Sequence, residues 1–478
     1  MHKGREQEIN VSLLKLGAPR QLVLFSLLIL VIVGWFVTPE MLQVTPQPEM
    51  PPFRPQLEAM KDYYKFHFLP DGYPARRENG NVFEHPMYGA YVLHDYTLQY
   101  HHRPTNELRE AIRMVANASI KRMDDYRGTL VFWYPADHSV MRAYKRYYSG
   151  LTQSYYMLHL LEAYQITNEE PFKEASEKTF RSLLIQDEDG GVCYSWEEGM
   201  GIAEVPMQPN GLILNGWLTI LVNLHRYAQL TDSVQAHKLF TKSSQTVAKL
   251  LPLYDAQEYR NSRYSLTGFQ YLKLQFSAVA DVVIRDLKLE IPKQGRFSIP
   301  VQNQSSRWEY YVFEKDAKNL FEGISVKGRT LRMNLVLSRL SFPQENVLHV
   351  TLNSTRQLQM DVYLHVGVYD PLSTSQTENK WRHVTSLQIK QGLNQIAIAL
   401  PWELTDLIAY PTNFKKKIGG RFHNVYHFVH IGQLKRLYLI TGIKVFHTYA
   451  DRWERYVSDW PSMEIYAGLA HSRHHRQR

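Results

Sequence analysis

Repeated helical hairpins between residues 58 and 265 constrain the fold of this chain most strongly. Each repeat joins an aromatic-rich helical segment to a second segment spaced by Ala and Ser, with a short polar cap between them. The caps fall at Asn106, Asn168 and Asp232, which are 62 and 64 residues apart. One hairpin cannot bury its apolar face alone, so repeated hairpins must stack. The sequence therefore predicts an α/α toroid, either closed or open.

Residues 269–412 show a different pattern. Apolar and polar residues alternate in RTLRMNLVLS, NVLHVTL, MDVYLHVGVY and NQIAIAL, and turn residues separate these runs. Such runs predict the antiparallel strands of a β-sandwich. Helical periodicity returns after Tyr426, with a further cap around Thr441. We therefore expect a mainly α protein with β structure, in which a β-sandwich at 269–420 interrupts a toroid formed by 58–268 and 421–465.

The N-terminal region predicts a membrane anchor. Residues 22–38 carry no charge, are almost entirely apolar, and are just long enough for a transmembrane helix. Basic residues precede this segment and none follows until Arg54, so the positive-inside rule places residues 1–21 in the cytoplasm. A cleaved signal peptide is the competing interpretation, but no small-x-small cleavage site follows.

The anchor predicts a single-pass protein with its body outside the cytoplasm. The Pro-rich residues 39–57 would form a stiff linker between the membrane and that body. The catalytic domain would then lie in the periplasm of a bacterium or in the Golgi lumen of a eukaryote.

The charge and composition of the chain limit the classes of partner that we expect it to bind. The formal net charge is +9 and the pI is about 9.2, which suits a polyanion such as an acidic polysaccharide or an anionic membrane. Residues 466–478 form a basic tail, but no nucleic-acid-binding motif is present, so we expect no nucleic-acid partner. The single cysteine, Cys193, excludes intramolecular disulfides and multi-cysteine zinc sites.

The stretch AEVPMQPNGLILNGWLTILVNLHRY, residues 203–227, holds the first candidate site residue. Pro206, Pro209 and Gly211 mark an irregular loop, and apolar residues at three- and four-residue steps then predict a long helix. Glu204 thus lies on a loop before a buried helix, where its carboxylate can point into a cavity. The alternative is an ordinary solvated loop residue.

A second polar cluster lies in NVYHFVHIGQLKRLY, residues 424–438. Tyr426, His430, Gln433 and Leu437 fall at steps of four, three and four, so they share one face of a helix. Ordinary core contacts are the alternative interpretation. A metal site is disfavoured because His427 and His430 have no third ligand nearby in the sequence.

Tyr264 and Arg263 come just before the predicted β-insertion. The insertion leaves and re-enters the helical part at one place. We therefore expect Tyr264 and Tyr426 to lie close together.

Several motifs are informative when taken together: SGLTQSYYMLHLLEAYQIT, the stretch from Glu204 to Tyr227, LLPLYDAQ followed by RYSL, and YHFVHIGQL. They resemble the D-glucuronyl C5-epimerase family, which acts on heparan precursors and related polymers, over roughly residues 145–265 and 424–455. The family's Glu-Tyr-Pro reads Glu204, Val205, Pro206 here, so the loop tyrosine is missing. The family's Trp is replaced by Tyr147, and relatives have the β-domain before the helical domain rather than inside it.

The resemblance implies a polysaccharide uronyl C5-epimerase that converts D-glucuronate to L-iduronate. It implies an acidic, uronate-containing polysaccharide as substrate, needs neither cofactor nor metal, and allows a homodimer. The catalytic residues that it implies are Glu204, Tyr426 and Tyr264. The substrate-binding residues that it implies are Arg263, His427, His430, Asn215, Tyr148, Gln153 and Gln433.

Epimerisation at C5 explains these residue types. One group removes the C5 proton and another returns a proton to the opposite face, so two acid/base side chains must flank the ring. We expect a Tyr whose pKa is lowered by a cation and a Glu whose pKa is raised by burial. Charge on the intermediate requires cations or neutral donors. We expect Arg263, His427 and His430, with Lys145 and Arg146, to face the cleft.

Two other functions fit the same pattern. A polysaccharide lyase starts with the same proton abstraction and then expels the C4 oxygen, which leaves an unsaturated uronate. A non-catalytic glycan-binding or assembly protein would keep the cleft without the chemistry, and the missing loop tyrosine favours it.

Overall fold

The computed structural model describes residues 48–54, 65–78, 80–134, 146–279, 281–299, 317–320, 323–326, 328–365, 381–405, 417–418, 421–422 and 425–463. The chain forms two compact units, Met1–Pro48 and Glu49–Arg478, and nearly all described residues belong to the second. The predicted anchor at 22–38, most of the predicted linker and the tail at 466–478 lie outside the described residues. Within the described ranges, no helix combines the length and apolar character needed to cross a bilayer.

In the described part of the chain, eight long helices pair into four hairpins. The first hairpin is α1 (Pro86–His102) with α2 (Asn106–Ile120), and the second is α3 (Gly150–Thr167) with α4 (Glu170–Ser182). The third is α5 (Leu214–Thr231) with α6 (Val234–Tyr254). After the strands and the short helix α7 (Trp402–Thr405), the fourth is α8 (Val425–Thr441) with α9 (Lys444–Asp459).

The hairpins stack into an arc with an inner and an outer layer. In the inner layer α1 packs on α3, α3 on α5, and α5 on α8. In the outer layer α2 contacts α4, and α6 contacts α9. The fourth hairpin thus continues the helical arc after the β region.

Polar residues mark the helix ends at the repeated cap positions. Asn168 and Asp232 follow α3 and α5 with left-handed φ angles of 61° and 50°. Asn and Asp tolerate this conformation better than other non-glycine residues, so the chain can reverse there. Asn106 differs, because it is the first residue of α2, and Thr105 caps that helix by accepting from the Leu108 N–H at 3.2 Å.

The β region between α6 and α8 consists mainly of antiparallel strands. They are β10 (Thr267–Phe276), β11 (Val282–Ile291), β12 (Gly295–Ile299), β13 (Ala317–Leu320), β14 (Gly323–Val326), β15 (Thr330–Ser338), β16 (Asn346–Ser354), β17 (Leu358–His365), β18 (Trp381–Ile389) and β19 (Gly392–Leu400). One sheet has the order β15-β10-β17-β18, and the other has the order β13-β14-β11-β16-β19 with β12 beside β11. Alternate residues of β16 are buried, and apolar side chains from both sheets share one core, so the sheets pack as a sandwich.

Short strands decorate the helical part. A three-stranded sheet precedes α1, and two-stranded hairpins lie in the loops. These strands are β1 (His67–Phe68), β2 (Pro74–Glu78), β3 (Asn81–Phe83), β4 (Asp124–Tyr126), β5 (Thr129–Val131), β6 (Cys193–Trp196), β7 (Gly199–Ile202), β8 (Asp255–Ala256), β9 (Asn261–Ser262), β20 (Lys417–Ile418) and β21 (Arg421–Phe422).

Asp255, directly after α6, ties the third hairpin to the fourth. Its buried carboxylate accepts hydrogen bonds from Trp453 Nε1 at 3.0 Å, from the Tyr456 hydroxyl at 3.1 Å and from the Arg452 guanidinium at 2.8 Å. All three donors belong to α9. Three donors of α9 share this one buried acceptor, so removing the Asp255 carboxylate would leave all three without it. Asp255 is therefore a main contact between the third and fourth hairpins.

We predict that Asp255→Ala lowers the free energy of unfolding by about 2–5 kcal/mol, because the buried Trp453 and Tyr456 donors each lose their partner at about 1–3 kcal/mol, while Arg452 is partly exposed. Denaturant unfolding followed by tryptophan fluorescence measures this change. Asp451→Ala is the control, because Asp451 on the same helix forms, among the described residues, an ion pair with the exposed His447 and should change little. Equal losses in the two variants would contradict the role given to Asp255.

Candidate active site

Glu204 lies on the loop between β7 and α5, and several parts of the fold hold that loop. Leu212 has a φ of 42°, a strained value for a leucine, so the loop needs fixed anchors. The anchors are hydrogen bonds from the Tyr254 hydroxyl to the Leu212 carbonyl (2.6 Å), from Leu266 N–H to the Gly211 carbonyl (2.8 Å), from Leu214 N–H to the Tyr264 carbonyl (2.9 Å) and from Asn210 N–H to Gln294 Oε1 (3.0 Å). Both the helical part and the sandwich therefore position the loop.

The Glu204 side chain rests on the first turn of α5. It is half-buried, while its neighbours Ala203 and Val205 are buried. A Cβ placed on Gly216 would lie 2.1 Å from Glu204 Oε2 and 2.6 Å from Glu204 Cβ, so only glycine leaves room for this contact. Asn215 Nδ2 donates to Glu204 Oε2 at 3.5 Å. A carboxylate here also gains from the positive end of the helix dipole.

Tyrosines from separate segments surround Glu204. Tyr134, Tyr147, Tyr155 and Tyr264 all interact electrostatically with its carboxylate. The rings of Tyr134 and Tyr147 stack with centroids 4.8 Å apart. The Tyr426 ring lies 4.6 Å from the Tyr264 ring, measured between centroids. The structure thus brings Tyr264 and Tyr426 together, and Tyr264 interacts with Glu204 as well.

These tyrosines are held in the neutral form. Burial, followed by the charge of Glu204 and by Tyr426, raises the pKa of Tyr264 well above its usual value. Burial is also the main cause that raises the pKa of Tyr155 to about 12 and that raises the pKa values of Tyr134 and Tyr147. We expected a tyrosine pKa lowered by a cation. For Tyr264 the shift has the opposite direction, because desolvation dominates.

Val205, which stands where the related family has a tyrosine, belongs to a small apolar cluster. Its side chain is buried with those of Tyr134, Tyr147, Met207 and Ile213, and Tyr264 packs against the same cluster. The loop residue after Glu204 therefore supports the surrounding tyrosines instead of adding another hydroxyl. Sequence analysis did not select Tyr134, Tyr147 or Tyr155, although the 31 tyrosines of the chain were a signal for an aromatic site.

His427 and His430 pack in the core, where we had expected cleft residues. The His427 ring donates through Nε2 to the Trp453 carbonyl at 2.8 Å, and its Nδ1 accepts from the Ser262 N–H at 3.0 Å. His430 Nδ1 lies 2.7 Å from the Ser262 hydroxyl. Both rings are fully buried. They join α8 to β9 and α9 rather than lining the space beside Glu204.

Arg263 also points away from Glu204. It is buried and interacts with Tyr259, Asp255 and Glu258, and burial lowers its pKa to about 10. Arg263 thus interacts with residues that follow α6, whereas its neighbour Tyr264 interacts with Glu204. The expectation that Arg263 faces the cleft with Tyr264 is therefore corrected.

Tyr148 and Gln153 have packing roles in this structure. The Tyr148 hydroxyl donates to the Ser182 carbonyl at 2.8 Å. Gln153 Nε2 donates to the Leu130 carbonyl at 2.8 Å, and Gln153 Oε1 accepts from the Phe132 N–H at 3.2 Å. Both side chains are buried, so they support β5 and α4 instead of meeting a substrate.

The remaining predicted residues divide into two groups. Asn215 and Gln433 stay half-exposed on the inner helices α5 and α8, and Gln433 Nε2 donates to Thr219 Oγ1 at 3.4 Å across them. Arg146 is exposed, pairs with Asp124 at 3.0 Å and stacks on Trp133. Lys145 lies outside the described residues. Within the described ranges, no cluster of three or more His, Cys, Asp or Glu side chains is suited to a metal ion.

Comparison with known proteins relates part of this site to a family. Residues 129–282 match the family model described as D-glucuronyl C5-epimerase C-terminus. This segment is therefore similar to the D-glucuronyl C5-epimerase family. It contains Glu204, Tyr264 and the newly identified tyrosines, whereas Tyr426 and the rest of α8 lie beyond it.

One curated relative and two solved structures are similar to parts of the chain. A D-glucuronyl C5-epimerase of Caenorhabditis elegans is 26% identical over 121 residues, which is 23% of this chain and 20% of that relative. The endo-beta-1,4-glucanase CMCax of Acetobacter xylinum is 9% identical, with a TM-score of 0.32, and the match covers 44% of this chain and 60% of that one. The cellobiose 2-epimerase of Spirochaeta thermophila is 12% identical, with a TM-score of 0.27, over 38% and 46%. The chain thus spans about a fifth of the curated relative that it matches.

We predict that Gly216→Ala destabilises the protein by about 1–3 kcal/mol, because the new methyl group collides with Glu204 close to its backbone. Thermal unfolding measures the effect. Gly432→Ala in α8 is the matched control, since a Cβ there meets nothing within 4 Å and alanine favours a helix by about 1 kcal/mol. The two alanines should therefore change stability in opposite directions. A stabilising Gly216→Ala would remove the proposed contact.

We also predict that stability falls below about pH 6.5. Burial lowers the pKa of His427 from 6.5 to about 4 and that of His430 well below 6.5. The unfolded chain therefore binds protons that the folded chain does not, and stability is complete above pH 6.5 and decreases as the pH falls towards 4. Each histidine contributes a slope of up to about 1.4 kcal/mol per pH unit.

Unfolding midpoints measured from pH 7 to pH 4 test this prediction. His427→Gln should reduce the pH dependence, whereas His447→Gln, on the exposed surface of α9, should leave it unchanged. A parent protein with the same stability at pH 7 and pH 5 would contradict the argument.

Proposed function

We propose that this protein is a polysaccharide uronyl C5-epimerase, an isomerase that converts D-glucuronate to L-iduronate residues in an acidic glycan. The observation that carries the proposal is the half-buried Glu204 carboxylate beside the neutral Tyr264, with Tyr426 in contact with Tyr264. An acceptor and a donor of protons are what inversion at C5 requires. The match of residues 129–282 to the D-glucuronyl C5-epimerase family model supports the same reaction.

In the proposed first step, Glu204 acts as the general base. A carboxylate oxygen takes the C5 proton, and the electron pair of the broken C–H bond moves into the sugar carboxylate as an enediolate. Asn215, in contact with Glu204, is on the first turn of α5 and keeps the carboxylate oriented. Its long 3.5 Å hydrogen bond leaves the oxygen available as a base.

In the second step, Tyr426 acts as the general acid. Its hydroxyl gives a proton to C5 from the opposite face, and the enediolate electrons form the new C–H bond. Tyr264 interacts with both Glu204 and Tyr426, so it is suited to return the proton from the protonated Glu204 to the tyrosinate. The reaction then ends with the enzyme in its starting state and the sugar inverted.

In the proposed mechanism, helix N-termini stabilise the negative charge of the intermediate, a role for which the sequence predicts cations. Gly150 at the start of α3 lies against the Ala203 carbonyl, His85 before α1 contacts the Tyr134 ring at 5.0 Å, and Tyr426 is in the first turn of α8. With α5, four helix N-termini meet around the site. Their aligned dipoles favour negative charge on the substrate and on the enediolate.

The architecture and setting form part of the proposal. We regard the four-hairpin arc as an open α/α toroid whose concave inner face is the cleft for the glycan. An acidic, uronate-containing polysaccharide would be the partner. Attachment to a membrane through residues 22–38 and an extracytoplasmic location of the body remain predictions from the sequence.

Deuterium exchange tests the proposal. In heavy water the parent protein should introduce deuterium at C5 of heparosan glucuronate and produce iduronate. Glu204→Gln and Tyr426→Phe should each lower exchange by about 10²–10⁴-fold, the usual contribution of an acid/base group, with binding retained. Tyr438→Phe, on the outer part of α8 beside His447, is the matched control and should exchange normally.

Other outcomes would redirect the assignment. Chain cleavage with an unsaturated uronate would identify a lyase. Binding of heparosan with no C5 exchange by the parent protein would identify a glycan-binding protein. Normal exchange by Tyr426→Phe would remove Tyr426 from the mechanism.

A further inference from the structure

The inner face of the arc continues well beyond Glu204. On each inner helix, half-exposed residues recur at three- and four-residue steps: Tyr91 and His94 on α1, Leu151 and Tyr155 on α3, Asn215 and Thr219 on α5, and Tyr426, Val429 and Gln433 on α8. The exposed Arg226 and Arg436 continue the same rows on α5 and α8. From Tyr426 to Arg436 is ten residues, or about 15 Å along the helix.

Arg436 faces this concave surface. Its charge acts on His94 of α1, on Tyr155 of α3 and on His225 of α5, so it contributes to the electrostatics of all three other inner helices. It is exposed, and among the described residues it forms no salt bridge. Arg436 is therefore a cation available to a ligand on the inner face.

A buried chain of polar groups lies beside Arg436. His94 Nδ1 is 3.1 Å from His159 Nε2, His159 Nδ1 is 2.7 Å from Glu162 Oε2, and Glu162 Oε1 is 2.5 Å from Arg226. His159 and Glu162 are almost fully buried. The carboxylate of Glu162 neutralises the charge of Arg226 and fixes its position. This group of polar side chains does not neutralise the charge of Arg436.

The pKa values of His94 and Glu162 show which groups of this cluster are charged at neutral pH. Burial, then His159 and, to a smaller extent, Arg226 and Arg436 lower the pKa of His94 to about 3, although Glu162 acts in the opposite direction. The pKa of Glu162 is about 2: burial, the largest contribution, raises it, but His159 and Arg226 together lower it more. At neutral pH the group thus contains two arginine cations, one carboxylate and a neutral His94, so its net charge is at least +1.

We propose that Arg436, together with Arg226 and His94, forms an anion subsite about 15 Å along the inner face from the reacting ring. Its ligand is a second uronate carboxylate of the same polysaccharide chain. A guanidinium recognises a carboxylate with paired hydrogen bonds. The inference rests on the proposed function for the identity of the ligand, and it makes the enzyme selective for polymers with repeated acidic groups.

Binding of heparosan oligosaccharides by calorimetry tests the subsite. For a decasaccharide, Arg436→Gln should weaken binding by about tenfold, the lower end for a hydrogen bond to a charged group. For a trisaccharide, which is too short to reach Arg436, the two proteins should bind equally. In turnover the variant should raise KM for the long substrate and leave kcat unchanged.

Lys435→Gln is the matched control. It removes the same charge from the neighbouring position, but Lys435 pairs with Glu454 of α9 at 2.8 Å on the other side of α8. It should bind both oligosaccharides normally. Arg436→Lys should recover part of the lost affinity. Carboxyl-reduced heparosan should bind the parent and Arg436→Gln equally, while a loss that persists with a carboxyl-reduced, sulfated chain would identify sulfate as the anion.

Two results would overturn the subsite: equal losses in Lys435→Gln and Arg436→Gln, or equal binding of the decasaccharide by the parent and Arg436→Gln. Failure of the reaction is a separate outcome. If the parent binds heparosan with the expected dependence on length and on Arg436 but exchanges no C5 hydrogen, the subsite stands and the epimerase assignment fails.

Discussion

The close contact between Glu204 and Gly216 sets the geometry on which the rest of the site depends. Without a Cβ at Gly216, the carboxylate lies directly on the first turn of α5. The loop that delivers Glu204 includes Leu212 at a φ of 42°, so hydrogen bonds from Tyr254 of α6 and from Gln294 of the β11–β12 turn must hold it. The inserted β-sandwich is thereby part of the support for the site, although no residue proposed for catalysis comes from it.

The two sides of α8 have different roles: one faces the inner surface of the arc, and the other packs in the core. At 100° per residue, Tyr426, Val429, Gln433 and Arg436 fall within about a quarter of the helix circumference, and these residues stay at least half-exposed. His427, His430 and Leu437 occupy the adjoining sector, where they meet Ser262 and the core. The buried side fixes the rotation of α8, and that rotation sets the direction of Tyr426.

Periodicity in the sequence predicts most of the fold. Apolar spacing and polar caps identify the hairpins, and alternation identifies the sandwich strands. The loop before α5 also identifies Glu204. The sequence does not show which of two adjacent residues faces the site, because only three-dimensional packing decides this. Sequence motifs selected Tyr148 together with Arg263 and Tyr264, whereas in the structure Tyr147 and Tyr264 are the residues that interact with Glu204.

The polar face that the sequence predicts for α8 includes buried residues, for a related reason. Steps of three and four residues group Tyr426 with His430, but the boundary between the inner face and the core passes between them, and periodicity does not locate such a boundary. Tyr134 and Tyr155 come from segments far from Glu204 in sequence. Their approach depends on how the hairpins stack, which no local pattern encodes.

Distance between the cations and the reacting groups has a chemical advantage. A guanidinium in contact with Glu204 would favour its ionised form and make it a weaker base. Neutral tyrosines avoid this loss, and a helix end carries only about half of a unit charge, while both stabilise developing charge. Arg436, about 15 Å away along the inner face, can hold the polymer by a carboxylate that does not react. Binding energy from that remote contact would hold the polymer in the cleft, which lowers KM, without reducing the basicity that proton abstraction needs.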